Sequence, residues 1–192
     1  MIYRNVDARD LKLDERELKA RLGSPEGLSK GENSELYEKL LDAAKPTYAA
    51  TRVKLNRENE GISIGNTHSR SGALMKLSEG STSCFALVTT LGVGVDRLIL
   101  KMAQLSASQA FVIDAMADAL VEALCDLAER EICEGLETKP RFSPGYGDLE
   151  LSLGKELVAL TGADKLLGIR MTESGLMVPK KSVNALIVIK DA

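Results

Sequence analysis

The sequence has no tryptophan, one histidine and three cysteines. Cys84, Cys125 and Cys133 are odd in number and lack the spacing of a metal site, so we expect reduced thiols. With a single histidine, neither a zinc site nor a histidine-based catalytic triad is expected. No apolar run approaches the ~20 residues that cross a bilayer. These shortages argue against disulfide scaffolds, zinc sites, histidine-based triads and helical membrane proteins.

Neither sign of charge dominates. The chain has 25 lysines and arginines against 28 aspartates and glutamates, and its net charge is −3. This balance argues against a general nucleic-acid-binding protein, which would carry a basic face. The N-terminus, "MIYRNVDARD", is charged from its fourth residue and predicts no secretory signal, so a cytoplasmic location is expected. The length of 192 residues predicts a single domain over 1–192.

Helices are predicted for most of the N-terminal segment, residues 1–48. Asp14 opens a D-x-x-E start signal, and apolar residues at helical spacing follow until Gly23. The polar stretch "SPEGLSKGEN" is predicted to be a linker. A second helix is predicted to begin near Ser34 and to end before Pro46.

The rest of the chain mixes strands and helices without a strict βαβ order. Short strands are predicted at Ala50–Leu55 and Ile62–Ile64, and "SCFALVTTLG" is predicted to be a buried strand. Further helices are predicted near 95–104, 108–133 and 151–161, and "LLGIRM", "GLMVP" and "VNALIVIK" are predicted strands. The predicted fold class is α+β, with a mixed, largely antiparallel sheet and packed helices.

The stretch "CFALVTTLGVGVDRLIL" resembles a dinucleotide-binding strand, loop and helix. That fingerprint needs a third glycine three residues after Gly94, where Arg97 stands instead. We therefore predict that Gly92 and Gly94 make a tight strand-to-helix turn. Asp96 is expected in the first turn of the helix that follows.

Four acidic residues recur every fourth position along the long predicted helix: Asp114, Asp118, Glu122 and Asp126. A line of this kind is usually the solvated side of an amphipathic helix, and we favour that interpretation. Like charges at this spacing repel one another, however. The alternative is that the helix uses the negative potential to attract a cation or a basic partner.

His68 and Ser143 have side chains that can act in catalysis, but no suitable partner residue accompanies either of them. His68, in "GNTHSRSG", is predicted to lie in a loop without a visible partner. Ser143 does not stand in a G-x-S-x-G elbow, and no base accompanies it. Hydrolase chemistry is not expected, and no catalytic residue is predicted.

The stretch "RFSPGYGD" combines stiff and flexible residues. Pro144 fixes its own backbone, and Gly145 and Gly147 permit turns that other residues resist. Arg141 offers a planar fork for a carboxylate, and Tyr146 offers a flat face with a hydroxyl. The combination suits a small zwitterion with an aromatic ring. It equally suits a rigid corner with a surface arginine, and the residues alone favour neither.

Two motifs in order mark a resemblance to a known family. "RFSPGYGD" followed by "GIRMTESGLMVPKKSVNALI" resembles the reactivation (activation) domain of cobalamin-dependent methionine synthase. That family has an R-x-[SA]-P-G-Y loop and then a T-E-S-x-x-M-x-P-x-x-S-V segment. "MADALVEAL" is similar to its A-D-x-L-x-E-A pattern. The resemblance covers roughly the C-terminal half of the chain, and "GDLEL" stands where the family often has P-x-C-P.

The resemblance implies a function. A stand-alone domain of this kind would bind S-adenosylmethionine and dock on the cobalamin-binding domain of methionine synthase or another corrinoid protein. It would serve the reductive remethylation of cob(II)alamin, with an electron donor of the flavodoxin type, as an accessory subunit rather than a complete enzyme. The alternative is a ligand-free interaction module for a corrinoid protein, because no aromatic-rich tail like the family's follows "IVIKDA".

The resemblance also implies roles for individual residues. Arg141 would bind the carboxylate of S-adenosylmethionine, Tyr146 would lie against the ligand, and Glu122 would lie near its sulfonium. Ser143, Pro144 and Gly145 complete the implied binding loop. The family's acidic residue near the N-terminus has Asp7 and Asp10 as candidate counterparts. The residues implied at the cleft or at the partner contact are Asp118, Thr172, Glu173 and Ser174.

Overall fold

The computed structural model describes residues 1–23 and 31–191. Its N-terminal segment holds a strand as well as the predicted helices. Strand β1 (Ile2–Asn5) precedes a short 3₁₀ turn, and helices α1 (Glu15–Leu22) and α2 (Glu32–Ala43) follow. The four residues of β1 are all exposed, so no alternation of apolar residues marked them as a strand. Most of the predicted polar linker lies outside the described residues.

The middle of the chain forms a hairpin and a buried strand close to the predicted positions. His68 lies in β4 rather than in a loop, so that prediction was wrong; β4 is only three residues long and too short to show a period. The elements are β2 (Thr47–Glu58), β3 (Gly61–Ile64), β4 (Thr67–Ser69), α3 (Gly72–Leu77) and β5 (Ser83–Thr90).

The C-terminal half follows the predicted order of helices and strands. Its elements are α4 (Val93–Leu105), α5 (Ala107–Ile132), α6 (Leu153–Thr161), α7 (Ala163–Leu166), β6 (Arg170–Met171), β7 (Met177–Val178) and β8 (Ser182–Ile189). Among the described residues no helix has the length and apolarity to span a membrane.

The main sheet has the strand order β4-β3-β2-β5-β8, and β1 also pairs with β2. Strands β6 and β7 form a separate two-stranded ribbon. Every pairing among the described strands is antiparallel. The predicted fold class, α+β with a largely antiparallel sheet and packed helices, is therefore confirmed.

Helices cover both faces of this sheet. Phe85 and Leu87 of β5 face one apolar cluster, to which α1, α2, α4 and α5 contribute. Ala86 and Val88 face a second cluster, built with α3, α6 and α7. Because both faces are covered, all eight residues of β5 are buried, which explains the apolar run from Cys84 to Val88 in its middle.

The connection from β5 to α4 is the tight turn predicted from its glycines. Gly92 has φ of 81° and caps α4, and Asp96 lies in the first turn of that helix. A Cβ at Gly94 would collide with the carbonyl oxygen of Ala43 at the end of α2. Gly92 thus permits the turn, and Gly94 permits the close approach of α4 to the end of α2.

All three cysteines are free and buried. Burial raises the pKa of Cys84 and of Cys125 to about 12, and it raises the pKa of Cys133 to about 11. Thiols with such pKa values remain protonated and poorly nucleophilic at neutral pH. The cysteines are core residues.

Candidate functional site

The site begins at the edge of the main sheet, where a segment after α5 runs beside β8. The amide of Lys139 donates to the carbonyl of Val188 at 2.9 Å. Phe142 and Leu186 exchange two backbone hydrogen bonds, of 2.9 and 2.8 Å. Phe142 packs on the second apolar cluster. Since neighbouring side chains of an extended chain point to opposite faces, Arg141 faces α5.

Arg141 lies against three carboxylates of α5. Its Nη2 is 3.0 Å from Glu122 Oε2, and its Nη1 is 2.7 Å from Asp126 Oδ1 and 3.1 Å from Glu129 Oε2. The Arg141 side chain is 20% exposed. Burial raises the pKa of Glu129, and Arg141 opposes this shift. The Arg141 side chain is therefore mostly buried, and both Nη atoms of its guanidinium are ion-paired.

The segment 143–147, which we call the proline-glycine bend, follows directly after Phe142. The amide of Tyr146 donates to the carbonyl of Ser143 at 3.1 Å, which closes a β-turn with Pro144 at its second position. Gly145, at the third position, has φ of 94°, as a type II turn requires. A Cβ there would also lie 2.9 Å from Cδ2 of Leu151. The bend leaves Tyr146 67% exposed.

A hollow of about 480 Å³ lies between α5 and this bend. Its apolar lining consists of Pro140, Phe142 and Val183. Its polar lining consists of Glu122, Asp126, Glu129, Arg141, Ser143 and Tyr146. The hollow thus offers both signs of charge, an aromatic ring and main-chain groups to one small ligand. Among residues 1–23 and 31–191, no three side chains form a group suited to a metal ion.

The structure brings four of the predicted ligand-binding residues together around this hollow: Arg141, Ser143, Tyr146 and Glu122. Pro144 lines a neighbouring, more apolar hollow of about 360 Å³ instead. That second hollow is bounded by the bend, the β6–β7 ribbon and β8.

The other predicted positions, Gly145 among them, line neither hollow. Asp118 lies on α5, one turn before Glu122. The turn that joins β6 to β7 contains Thr172, Glu173 and Ser174, and the Oγ atoms of Thr172 and Ser174 are 2.9 Å apart. Gly175, Leu176 and Met177, which follow, line the second hollow.

The N-terminal candidates lie elsewhere. Asp7 accepts a hydrogen bond from the amide of Arg9 at 2.9 Å and lines a different hollow, together with α2 residues. Asp10 lies in the same 3₁₀ turn. Neither residue lines the hollow beside Arg141.

The acidic line on α5 is ion-paired along its whole length. Lys181 Nζ is 2.9 Å from Asp114 Oδ1 and 2.6 Å from Asp118 Oδ1. Glu122 and Asp126 pair with Arg141. The predicted solvated face is thus incomplete: Asp114 and Asp118 share Lys181, and Glu122 and Asp126 share Arg141. Asp118 also lies 3.7 Å from Nη1 of Arg21 in α1. This pairing offsets the repulsion expected at i+4 spacing.

Two members of this network were missed in the sequence. Glu129 lies three residues after Asp126 and seven after Glu122, so the helical period places it on the same face. Lys181 stands in the segment that resembles the family, but nothing in its neighbourhood marks it as buried. It is only 8% exposed.

We expect Lys181→Met to destabilise the protein. The variant leaves Asp114 and Asp118 adjacent without their shared cation, and the lysine side chain is 10% exposed. The free energy of unfolding should fall by about 1–2 kcal/mol, well below the effect of breaking a fully buried pair. The loss is moderate because Asp114 and Asp118 are 48% and 38% exposed and Asp118 keeps Arg21 at 3.7 Å. Urea denaturation measures this. Lys180→Met is the control, because Lys180 is exposed; an equal loss in both variants would contradict the account.

Asp148, just after the bend, ties it to another part of the fold. The hydroxyl of Ser71 donates to Asp148, and so do the amides of Gly72, at 2.7 Å, and Ala73, at 3.2 Å. These bonds hold the pKa of Asp148 below its usual range, the Ser71 hydroxyl contributing most. Glu150 accepts from the Ser69 hydroxyl at 2.7 Å. The "GDLEL" segment therefore anchors the bend to the start of α3.

Asp148→Ala should lower the melting temperature at pH 7. Because the folded-state pKa is depressed, the stabilisation is present above the unfolded-state pKa and is lost as the pH falls through the folded one. The difference in melting temperature between wild type and variant should therefore narrow as the pH falls below the usual aspartate pKa of about 3.9. Thermal melts at several pH values measure it, with Asp191→Ala as control. A gap independent of pH would contradict the assignment.

Comparison with known proteins identifies the fold. No family model matches the chain, and no curated protein matches it. A solved structure described as the crystal structure of the MetH reactivation domain bound to AdoHcy superposes with a TM-score of 0.72. The match covers 98% of this chain and 78% of that one, at 19% sequence identity. This chain therefore has the fold of that domain.

Proposed function

We propose that this chain, which has the fold of the MetH reactivation domain, binds S-adenosylmethionine in the hollow between α5 and the proline-glycine bend. One observation carries the proposal: Arg141 and Glu122, 19 residues apart in sequence, line one hollow together with Tyr146. The solved structure of the same fold is described as bound to AdoHcy, which shares the amino-acid and adenosine parts of the proposed ligand.

Binding would exchange one set of ion pairs for another. S-adenosylmethionine carries a carboxylate, an ammonium and a sulfonium group. Its carboxylate would take the guanidinium of Arg141 in a forked, charge-assisted contact. Its cationic groups would then occupy the positions that Arg141 releases at Glu122 and its neighbours. Each charged group of the ligand gains a partner of opposite sign in this exchange, which offsets part of the cost of desolvating it.

The same proposal includes the role of the whole chain. Residues 1–192 would act as one cytoplasmic domain that docks on the cobalamin-binding domain of methionine synthase. Asp118 and the turn at Thr172, Glu173 and Ser174 would lie at the cleft or at the partner contact. The docked chain would present the methyl donor for reductive remethylation of cob(II)alamin, with the electron supplied by a flavodoxin-type donor. The chain would thus be an accessory subunit.

Isothermal titration with S-adenosylmethionine tests the proposal. We expect saturable heat with one site per chain and a dissociation constant in the micromolar range. Phe111→Ala is the control variant, because this exposed residue of α5 lies outside the hollow and should leave binding unchanged. Absence of heat at millimolar ligand would contradict the proposal.

A ligand-free interaction module is the second candidate. The observation that favours it is the pairing of Arg141 with three carboxylates, since this arginine needs no ligand to be satisfied. Pull-down with a cobalamin-binding domain separates the two candidates. If capture is equal for wild type and Arg141→Ala, and neither protein binds S-adenosylmethionine, the module is supported.

A further inference from the structure

The charges that line the hollow beside Arg141 do not balance. Glu122, Asp126 and Glu129 face one another across a single guanidinium. The other nearby cation, Lys181, is already held by Asp114 and Asp118. No second lysine or arginine lines the hollow in the part of the chain that the structure describes. The hollow therefore has two more negative charges than positive ones.

We infer that Asp126 and Glu129 make the hollow selective for the positively charged methyl donor over its neutral thioether product. This inference rests on the proposed function and adds two specificity-determining residues to it. Neither residue belongs to the set that the resemblance implies.

The contacts of Arg141 show why we assign the excess negative charge to Asp126 and Glu129. Both contact the same atom, Nη1 of Arg141, at 2.7 and 3.1 Å, whereas Glu122 alone contacts Nη2. The single positive charge of Arg141 is thus shared among three carboxylates, and two of them crowd one nitrogen, so two negative charges remain uncompensated. The Glu129 side chain is 27% exposed and that of Asp126 is 71% exposed. Salt should screen Asp126 strongly and Glu129 less.

Methyl transfer changes the net charge of the ligand, and the negative charge of the hollow therefore distinguishes donor from product. S-adenosylmethionine carries one net positive charge at neutral pH, from a sulfonium, an ammonium and a carboxylate. When the methyl group leaves, sulfur keeps the electron pair of the broken carbon–sulfur bond, and the nucleophile supplies the pair for the new bond. The product, S-adenosylhomocysteine, is therefore net neutral. The hollow attracts the donor more strongly and releases the product once the methyl group is gone.

Titration with three ligands tests the inference. S-adenosylmethionine and sinefungin, which has an ammonium in place of the sulfonium methyl, should bind wild type about tenfold more tightly than S-adenosylhomocysteine, as expected for one charge near a protein surface. The preference should shrink between about 20 and 200 mM salt, because the Debye length shortens. Equal affinity for all three ligands overturns the inference but leaves the proposed function intact. Binding of none overturns both.

Matched variants test whether Asp126 and Glu129 cause the preference for cationic ligands. The double variant Asp126→Asn, Glu129→Gln keeps hydrogen-bond acceptors for Arg141 but removes the excess charge. Its preference for the cationic ligands should fall to less than about threefold. Glu134→Gln is the control, because Glu134 is exposed after α5 and does not line the hollow. An unchanged ratio in the folded double variant shows that selectivity has another source and overturns the assignment.

Discussion

Arg141→Ala is expected to weaken binding of S-adenosylmethionine by about 10- to 100-fold, the effect of losing charged hydrogen bonds worth about 1.5–3 kcal/mol. The guanidinium is mostly buried at the wall of the hollow, and its fork suits the carboxylate of the ligand. Arg141→Lys keeps the charge without the fork, so its affinity should lie between those of wild type and Arg141→Ala.

The same variant should also lose stability. A loop arginine ordinarily contributes little to folding. The structure changes this expectation, because Arg141 separates Glu122, Asp126 and Glu129. Without it these carboxylates repel one another, and the free energy of unfolding should fall by about 1–2 kcal/mol.

Titration calorimetry and urea denaturation measure both effects. Arg97→Ala serves as the control for removing an exposed arginine. If Arg141→Ala retained wild-type affinity, Arg141 would not be a ligand contact, whatever its effect on stability. If stability were unchanged, the three ion pairs would carry no net energy.

Gly145→Val is expected to damage both stability and binding. The backbone at this position has φ of 94°, which a β-branched residue resists, and the new Cβ would lie 2.9 Å from Leu151. We expect a loss of about 1–3 kcal/mol from backbone strain, with a further cost from the collision. Because the turn aims Ser143 and Tyr146, affinity should fall by at least about tenfold in the fraction that folds.

Gly80→Val separates strain from function. Gly80 has φ of 69°, and a Cβ there would meet nothing within 4 Å. It lies in the turn before β5 and does not line the hollow. Gly80→Val should therefore lose stability but keep ligand affinity. Equal loss of affinity in both variants would mean that the bend has no special role.

Local patterns predicted those parts of the fold that have a strong period or composition. The apolar run of β5 and the helical repeat of α5 each define an element within a few residues of its bounds. Strand β1 was not predicted, because its exposed residues gain stability only by pairing with β2. Its existence depends on partner residues that are 42 to 48 positions away in the sequence.

The candidate site divides in the same manner. The turn at Pro144 and Gly145 was predicted, because it depends only on the backbone preferences of proline and glycine. The ion pairs of Arg141 depend on how the segment beside β8 lies against α5, which no local pattern encodes. Lys181 and Asp148 were missed for this reason: each acquires its role through a partner more than 60 residues away. Helical spacing marked Glu122 as one of four acidic residues, and the resemblance alone gave it a role beside the ligand.

The central claim is that the bend and α5 together form the ligand site. Amide chemical shifts in a ¹⁵N-labelled sample, recorded during titration with S-adenosylmethionine, test it most directly. We predict that the amides of Arg141, Ser143, Gly145 and Tyr146 shift in a saturable manner together with that of Glu122, while those of Asp7 and Asp10 remain in place. Saturable shifts confined to the hollow at Asp7, with none in the bend, would contradict the account.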